Sequence, residues 1–255
     1  MKLYLVYDDY EDMMQCKYLL CSYAYMKKRA TKVMKQFIKE KGNDNFILDS
    51  GAFTFMNTAN KISGEWLKSY IDEYCEFVRY YNITQYIEMD IDKVVGYEKV
   101  KEINKYIENK VGRKPLYVHH HETRTIEDLE TASDNSDYIF WPALSKSANT
   151  IKETNAFVNF LYKKGVRCHL LGYSSTNLTK IKHLYSCDSA SWLSATRFAQ
   201  GIKYNNGNYS HFIFRGRIRD YKKARNYNYK EWLKYQNYLS TIEWKEEKDE
   251  NVNII

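Results

Sequence analysis

Short runs rich in aliphatic, β-branched and aromatic residues alternate along the chain with longer stretches whose apolar residues recur at helical spacing. A strand shows its side chains with a period of two and a helix with a period of 3.6, so the alternation predicts βα units and a parallel sheet. The strand candidates are residues 2–7, 45–48, 85–89, 114–119, 138–141, 167–171, 184–187 and 211–215, eight in number. Residues 63–81, 96–111, 126–132, 149–163 and 176–181 predict crossover helices between them. Two of these helices start with a mechanism. Ser63 is placed to accept from a first-turn amide, and Thr125 stands three residues before Asp128 in a capping-box arrangement. Gly112 and Gly165 fall where helices stop, and glycine supplies the left-handed conformation such ends need.

Eight strands in 255 residues fit one (β/α)8 TIM-type barrel, whose usual size is roughly 250 residues. An open doubly wound sheet shows the same alternation, and the strand count favours the barrel. No repeat or Pro/Gly-rich hinge divides the chain; the two prolines, Pro115 and Pro142, lie close to strands. The expected organisation is therefore a catalytic barrel over 1–242 followed by a polar, acidic tail over 243–255. The N-terminus lacks a secretory apolar stretch, and no segment approaches the ~20 apolar residues of a membrane span, so a cytoplasmic protein without a membrane partner is expected. Cys16, Cys21, Cys75, Cys168 and Cys187 are scattered, odd in number and without zinc-ribbon spacing, which reads as reduced packing residues.

Net charge is +7, and its distribution says more than its size. Between positions 197 and 230 stand Arg197, Lys203, Arg215, Arg217, Arg219, Lys222, Lys223, Arg225 and Lys230 against one acid, Asp220. A second run holds Lys27, Lys28, Arg29, Lys32, Lys35, Lys39 and Lys41 against Glu40. Each run alone reads equally well as a solvated helix face. Together, and interleaved with Tyr204, Tyr209, Phe212, Phe214, Tyr221, Tyr227 and Tyr229, they lean towards nucleic acid, with Arg197, Arg215, Arg217, Arg219, Lys222 and Lys223 as candidate phosphate contacts.

In a barrel the active site gathers at the C-terminal strand ends, and those ends are polar here: Asp8-Asp9, Asp49-Ser50-Gly51, Asp90 and Asp92, His119-His120-His121-Glu122, Gly172-Tyr173-Ser174-Ser175, and Asp188-Ser189. Helix capping accounts for a single such Asp, but less readily for carboxylates after four strands. The run Ile47-Leu48-Asp49-Ser50-Gly51-Ala52-Phe53 resembles the Asp-Ser-Gly-Gly-Phe motif of tRNA-guanine transglycosylases. Cys187-Asp188-Ser189-Ala190-Ser191-Trp192 stands where that family carries its nucleophilic Asp, in a form closer to phage DNA 7-deazaguanine transglycosylases. His169-Leu170-Leu171-Gly172-Tyr173 and Glu88-Met89-Asp90-Ile91-Asp92 are similar to its base-contacting strand ends. These islands span roughly 46–192. The family's Gln is Thr54 here, its Pro-Thr-Arg is replaced by Ala190-Ser191-Trp192, and its Cys-x-Cys-x-x-Cys zinc subdomain is absent.

The resemblance implies exchange of guanine in nucleic acid for a 7-deazaguanine base, in DNA in preference to tRNA, in the cytoplasm of a host cell if the chain is phage-encoded. The chemistry gives its own reason for two carboxylates. Breaking a glycosidic bond through an oxocarbenium-like transition state suits a carboxylate nucleophile, assigned to Asp188, and an acid/base, assigned to Asp49. Asp90 or Asp92 would meet the donor edge of the base, with Ser50, Gly51 and Gly172 lining it and Tyr173 or Phe53 stacked on its face. No metal or other cofactor is expected. Two other readings stay open: a metal-dependent barrel hydrolase using His119 and His121, alternate residues that face one way on a strand, and a non-catalytic barrel that binds through its basic face.

Overall fold

The computed structural model describes residues 1–7, 11–26, 31–52, 54, 63–142, 150–173, 178–194, 198–214 and 220–244. Two compact units emerge, one of Met1–Val6, Gln15–Tyr18 and Asp137–Ile255, the other of Tyr7–Met14 and Leu19–Ser136. The first unit holds four parallel strands and a separate two-stranded hairpin, and the second unit holds three strands. Among the described residues no helix is long and apolar enough to cross a membrane.

In the first unit β1 (Lys2–Val6), β7 (Ser186–Ser189), β6 (Arg167–Leu171) and β5 (Tyr138–Pro142) lie side by side in that order, all parallel. Tyr4 is in register with Asp188, and Ser186 with His169, which is in register with Phe140. Because side chains alternate, one face collects Tyr4, Tyr138, Phe140, His169, Ser186 and Asp188, and the other Leu3, Leu5, Ile139, Trp141, Cys168, Leu170 and Cys187. Helices cover the second, apolar face. Helix α7 (Thr150–Lys163) packs on β6, with Phe157 stacked 4.1 Å from Trp141, and α8 (Tyr221–Leu239) packs on β1, where Gln236 Nε2 donates to the Leu3 carbonyl at 2.7 Å.

In the second unit β2 (Leu19–Ser22) pairs in parallel with β3 (Phe46–Asp49). Tyr86 bridges to Leu48 and Ile87 to Leu116, just before β4 (Tyr117–Val118), both in parallel sense. Short helices α1 (Tyr23–Met26) and α4 (Asp92–Val95) follow strand ends, and α2 (Lys32–Lys41), α3 (Gly64–Tyr80), α5 (Tyr97–Val111) and α6 (Ile126–Asn135) are the longer ones. Helix α3 buries Leu67, Ile71, Tyr74 and Val78, a stripe at helical spacing, and Tyr74 donates to the Ile87 carbonyl at 2.8 Å. Both expected starts form: Ser63 accepts from the Trp66 amide, and Thr125 with Asp128 makes the capping box. Gly112 and Gly165 take the positive φ expected of them.

Two expectations need correction. The segment 211–215 is not an eighth parallel strand: β9 (Asn208–Ile213) runs antiparallel to β8 (Gln200–Asn205) around Asn206-Gly207, both at positive φ. The sheet strand that the sequence reading lacks is β2, only four residues long. Near the end of the described residues, Trp244 Nε1 donates to the His183 carbonyl at 2.8 Å and its ring packs on Tyr162 and Tyr185. Residues 245–255 lie outside the described set.

Candidate active site

Asp188 sits inside β7 rather than after it, on the face shared with Ser186, Tyr4 and His169. It is 6% exposed. Its Oδ1 accepts from the Gly172 amide at 2.8 Å and stands 3.2 Å from His169 Nε2, whereas Oδ2 takes no hydrogen bond among the described residues. Behind His169 the chain continues: Nδ1 is 2.8 Å from Ser186 Oγ, which is 2.6 Å from the Tyr138 hydroxyl. Burial pushes the His169 pKa down, against the pull of Asp188, and burial holds Tyr138 far above the ordinary phenol range. Both stay neutral. A neutral imidazole must turn its N–H to the carboxylate, so Nδ1 accepts from Ser186, and Ser186 in turn accepts from Tyr138. Phe140 stacks on the imidazole at 4.3 Å and fixes the ring plane.

Ser186, His169 and Asp188 have the composition of a hydrolase triad, but the order of burial is wrong for one. Ser186 and His169 are fully enclosed, and only the carboxylate reaches towards solvent. The end of this network open to a substrate is therefore Asp188 and not Ser186. Gly172 is at φ +64°, with no atom of the described residues within 4 Å of where a Cβ would stand, and Tyr173 next to it is buried. The residues after Asp188 are anchors: Ser189 Oγ accepts from the Ser191 amide at 3.1 Å, and Trp192 Nε1 donates to the Val6 carbonyl at 3.1 Å.

In the second unit Asp49 ends β3, half-buried, and its Oδ2 accepts from the Gly51 amide at 3.0 Å. Ser50 is buried with its carbonyl accepting from Tyr70 at 2.7 Å. Gly51 is at φ +75°, and a Cβ there would lie 2.6 Å from Ala24 Cβ and 2.8 Å from its amide nitrogen, so the turn admits only glycine. Phe53 lies outside the described residues.

Asp90 and Asp92 differ sharply. Arg124 grips Asp92 with Nε to Oδ1 and Nη2 to Oδ2, each at 2.8 Å, and reaches Glu88 Oε1 with Nη1 at 2.6 Å. Its guanidinium lies between the rings of Tyr97 and Tyr117, 4.5 and 4.7 Å from their centroids. Burial raises the Asp92 pKa, but Arg124 outweighs it and holds the group below its ordinary value. Asp92 is a structural partner in this geometry. Asp90 accepts no hydrogen bond among the described residues; His120 Nε2 lies 3.5 Å from it and likewise has no hydrogen-bond partner among them.

His119 is buried and His121 exposed in a turn, so the two do not present a common pair. Among the described residues no three His, Cys, Asp or Glu gather as metal ligands. Lys222 and Lys223 are exposed on the first turn of α8, whereas Arg197, Arg215, Arg217 and Arg219 fall outside the described residues. Of the interleaved aromatics, Tyr209 and Tyr229 are core, while Phe212, Tyr221 and Tyr227 are exposed.

The sequence reading missed His169, Ser186 and Tyr138. Their signal was present: polar groups at alternate positions of short, otherwise apolar strands, Arg167/His169 and Ser186/Asp188. No family model matches this sequence, and no curated protein matches it.

Proposed function

We propose that the chain is a base-exchange transglycosylase, replacing guanine in nucleic acid, DNA in preference to tRNA, with a 7-deazaguanine derivative in the cytoplasm. The observation that carries this reading is the carboxylate of Asp188: buried, with one oxygen held by two donors and the other taking no hydrogen bond among the described residues. In the first half-reaction Oδ2 bonds to C1′ as the C1′–N9 bond breaks; the electron pair leaves with guanine, and Asp49 supplies its proton. In the second, N9 of the incoming base attacks C1′, gives its proton to Asp49, and frees Asp188. Asp90, with no hydrogen bond reaching its oxygens among the described residues, suits the N–H edge of the purine better than Asp92 does. Ser50, Gly51, Phe53, Gly172 and Tyr173 complete the proposed base site. A closed eight-stranded barrel belongs to the same proposal. Its support is the pair of parallel bridges from Leu48 to Tyr86 and from Ile87 to Leu116, which give the segment around residue 86 the place of an eighth strand between β3 and β4.

The test is trapping. The protein is mixed with guanine-containing DNA, denatured and examined by intact-mass and peptide mass spectrometry. A nucleic-acid adduct on Asp188, abolished in Asp188→Asn while DNA binding persists, is expected. Base exchange without an adduct removes the nucleophile, and binding without exchange makes the chain a non-catalytic binder.

A further inference from the structure

A carboxylate that must attack in line needs one oxygen fixed and the other free, since a side chain rotating about χ2 presents the two in turn. Asp188 is braced from two directions. The Gly172 amide reaches Oδ1 from the turn after β6, and His169 reaches it from within β6. The amide is fixed by the backbone, but the imidazole can donate only if its proton is on Nε2, and in water the two neutral tautomers are close in energy. The carboxylate favours that tautomer from in front of the ring, and a second group favours it from behind. Ser186 Oγ is 2.8 Å from Nδ1 and 2.6 Å from the Tyr138 hydroxyl, so when it accepts from Tyr138 its own proton is free to point at Nδ1. Every proton is placed when Tyr138 donates to Ser186, Ser186 to Nδ1 and Nε2–H to Asp188.

We infer that Tyr138, Ser186 and His169 form a one-way hydrogen-bond relay that locks His169 as the Nε2–H tautomer and thereby holds Asp188 with Oδ2 presented to its substrate. His169 is a positioning residue and Ser186 and Tyr138 support its tautomer; none of the three touches the reacting atoms. The relay carries no net proton in the reaction. Its functional consequence rests on Asp188 being the attacking carboxylate, as proposed above, but its existence does not.

Two readouts separate those claims. Protein labelled with 15N in its histidines, with the His169 signals assigned by their loss in His169→Gln, should show a neutral Nε2–H imidazole at pH 7. In Ser186→Ala the Nδ1 resonance should move towards that of an imidazole nitrogen without a donor, because the Ser186 hydroxyl no longer reaches it. An Nδ1–H or charged His169 in the parent overturns the relay, whatever the protein's activity. The second readout is the single-turnover rate of adduct formation with guanine DNA. His169→Phe keeps the ring packed on Phe140 and removes both nitrogens; it should slow the step about 10- to 100-fold with DNA affinity unchanged. His169→Gln, whose amide nitrogen reaches the same oxygen, should recover most of that loss, which a merely packing role would not allow. Should His169→Phe fail to fold, Ser186→Ala is expected to slow the step several-fold. Parent-like rates in the folded variants overturn the positioning role. A parent that forms no adduct refutes the transglycosylase reading, and the tautomer still decides the relay.

Discussion

His119 is an instance of a residue whose environment, more than its type, decides its behaviour. It is 5% exposed, and burial, with the positive charge of Arg124 and its His neighbours acting the same way, lowers its pKa from 6.5 to about 4. The folded protein therefore disfavours the proton that the unfolded chain accepts. Stability is complete above pH 6.5 and is lost as pH falls towards and through 4, by about 3 kcal/mol at most from this group. In His119→Phe this part of the acid loss should disappear, so urea midpoints of parent and variant should converge between pH 7 and 4; parallel curves would show that His119 is protonated freely in the fold. His169 is shifted in the same direction and keeps its contribution in both proteins. The carboxylates were legible at this scale, because an Asp after an apolar run is visible to the eye. The separation of Asp90 from Asp92 was not, since nothing in Glu88-Met89-Asp90-Ile91-Asp92 foretells that Arg124, 32 positions away, takes both oxygens of Asp92.

The hairpin and α8 show how an element depends on partners remote in sequence. The outer edge of β8 would leave amides at alternate residues unpaired, a surface that invites another strand. Side chains of α8 take that place. Asn228 Oδ1 accepts from the Ile202 amide at 2.9 Å, its Nδ2 donates to the Gln200 carbonyl at 3.0 Å, and Glu231 Oε2 accepts from the Tyr204 amide at 2.8 Å. Asn228 and Glu231, three residues apart, share one helix face. Asn228→Leu should leave the Ile202 amide buried without its partner, while the Gln200 carbonyl keeps Ser194 Oγ at 3.2 Å, costing about 1–3 kcal/mol, and amide exchange at Ile202 should accelerate. An unchanged denaturation midpoint would mean that the edge finds water instead. The same contacts explain what was hidden in the sequence. Helix α8 buries Asn228, Glu231 and Gln236 beside Trp232 and Tyr235, so its inner face lacks the apolar stripe that marks α3. The hairpin, by contrast, carried its signal in Asn206-Gly207, a two-residue turn sequence of the kind that joins antiparallel strands; reading 211–215 as a parallel strand overlooked it. Strand β2 offers only Leu-Leu-Cys-Ser, too short a run for period two to register.

At the scale of the whole molecule the alternation of strands and helices was the most legible feature, because each βα unit carries both periods within a few tens of residues. Charge is the other property of the chain taken entire, and it yields the last prediction. A net +7 attracts any polyanion weakly, so affinity for nucleic acid by itself says little; the salt dependence says how many phosphates are neutralised. Lys222 and Lys223 open α8, and the side chain of Lys223 is 88% exposed, with only Asp220 at 3.6 Å as an ionic neighbour among the described residues. Neither lysine is committed to the packing of the helix. If both meet phosphates, the double variant Lys222→Glu/Lys223→Glu should bind duplex DNA more weakly and lower the slope of log affinity against log salt by about 2, close to one unit for each phosphate no longer neutralised. Asp188→Asn, which alters the chemistry alone, should keep the parent slope. Helix α8 should survive the double change, because both positions face solvent and glutamate near a helix N-terminus interacts favourably with the helix dipole. A slope unchanged in the double variant, with its helix intact by circular dichroism, would make this basic run a solvated face and place the nucleic-acid contacts elsewhere.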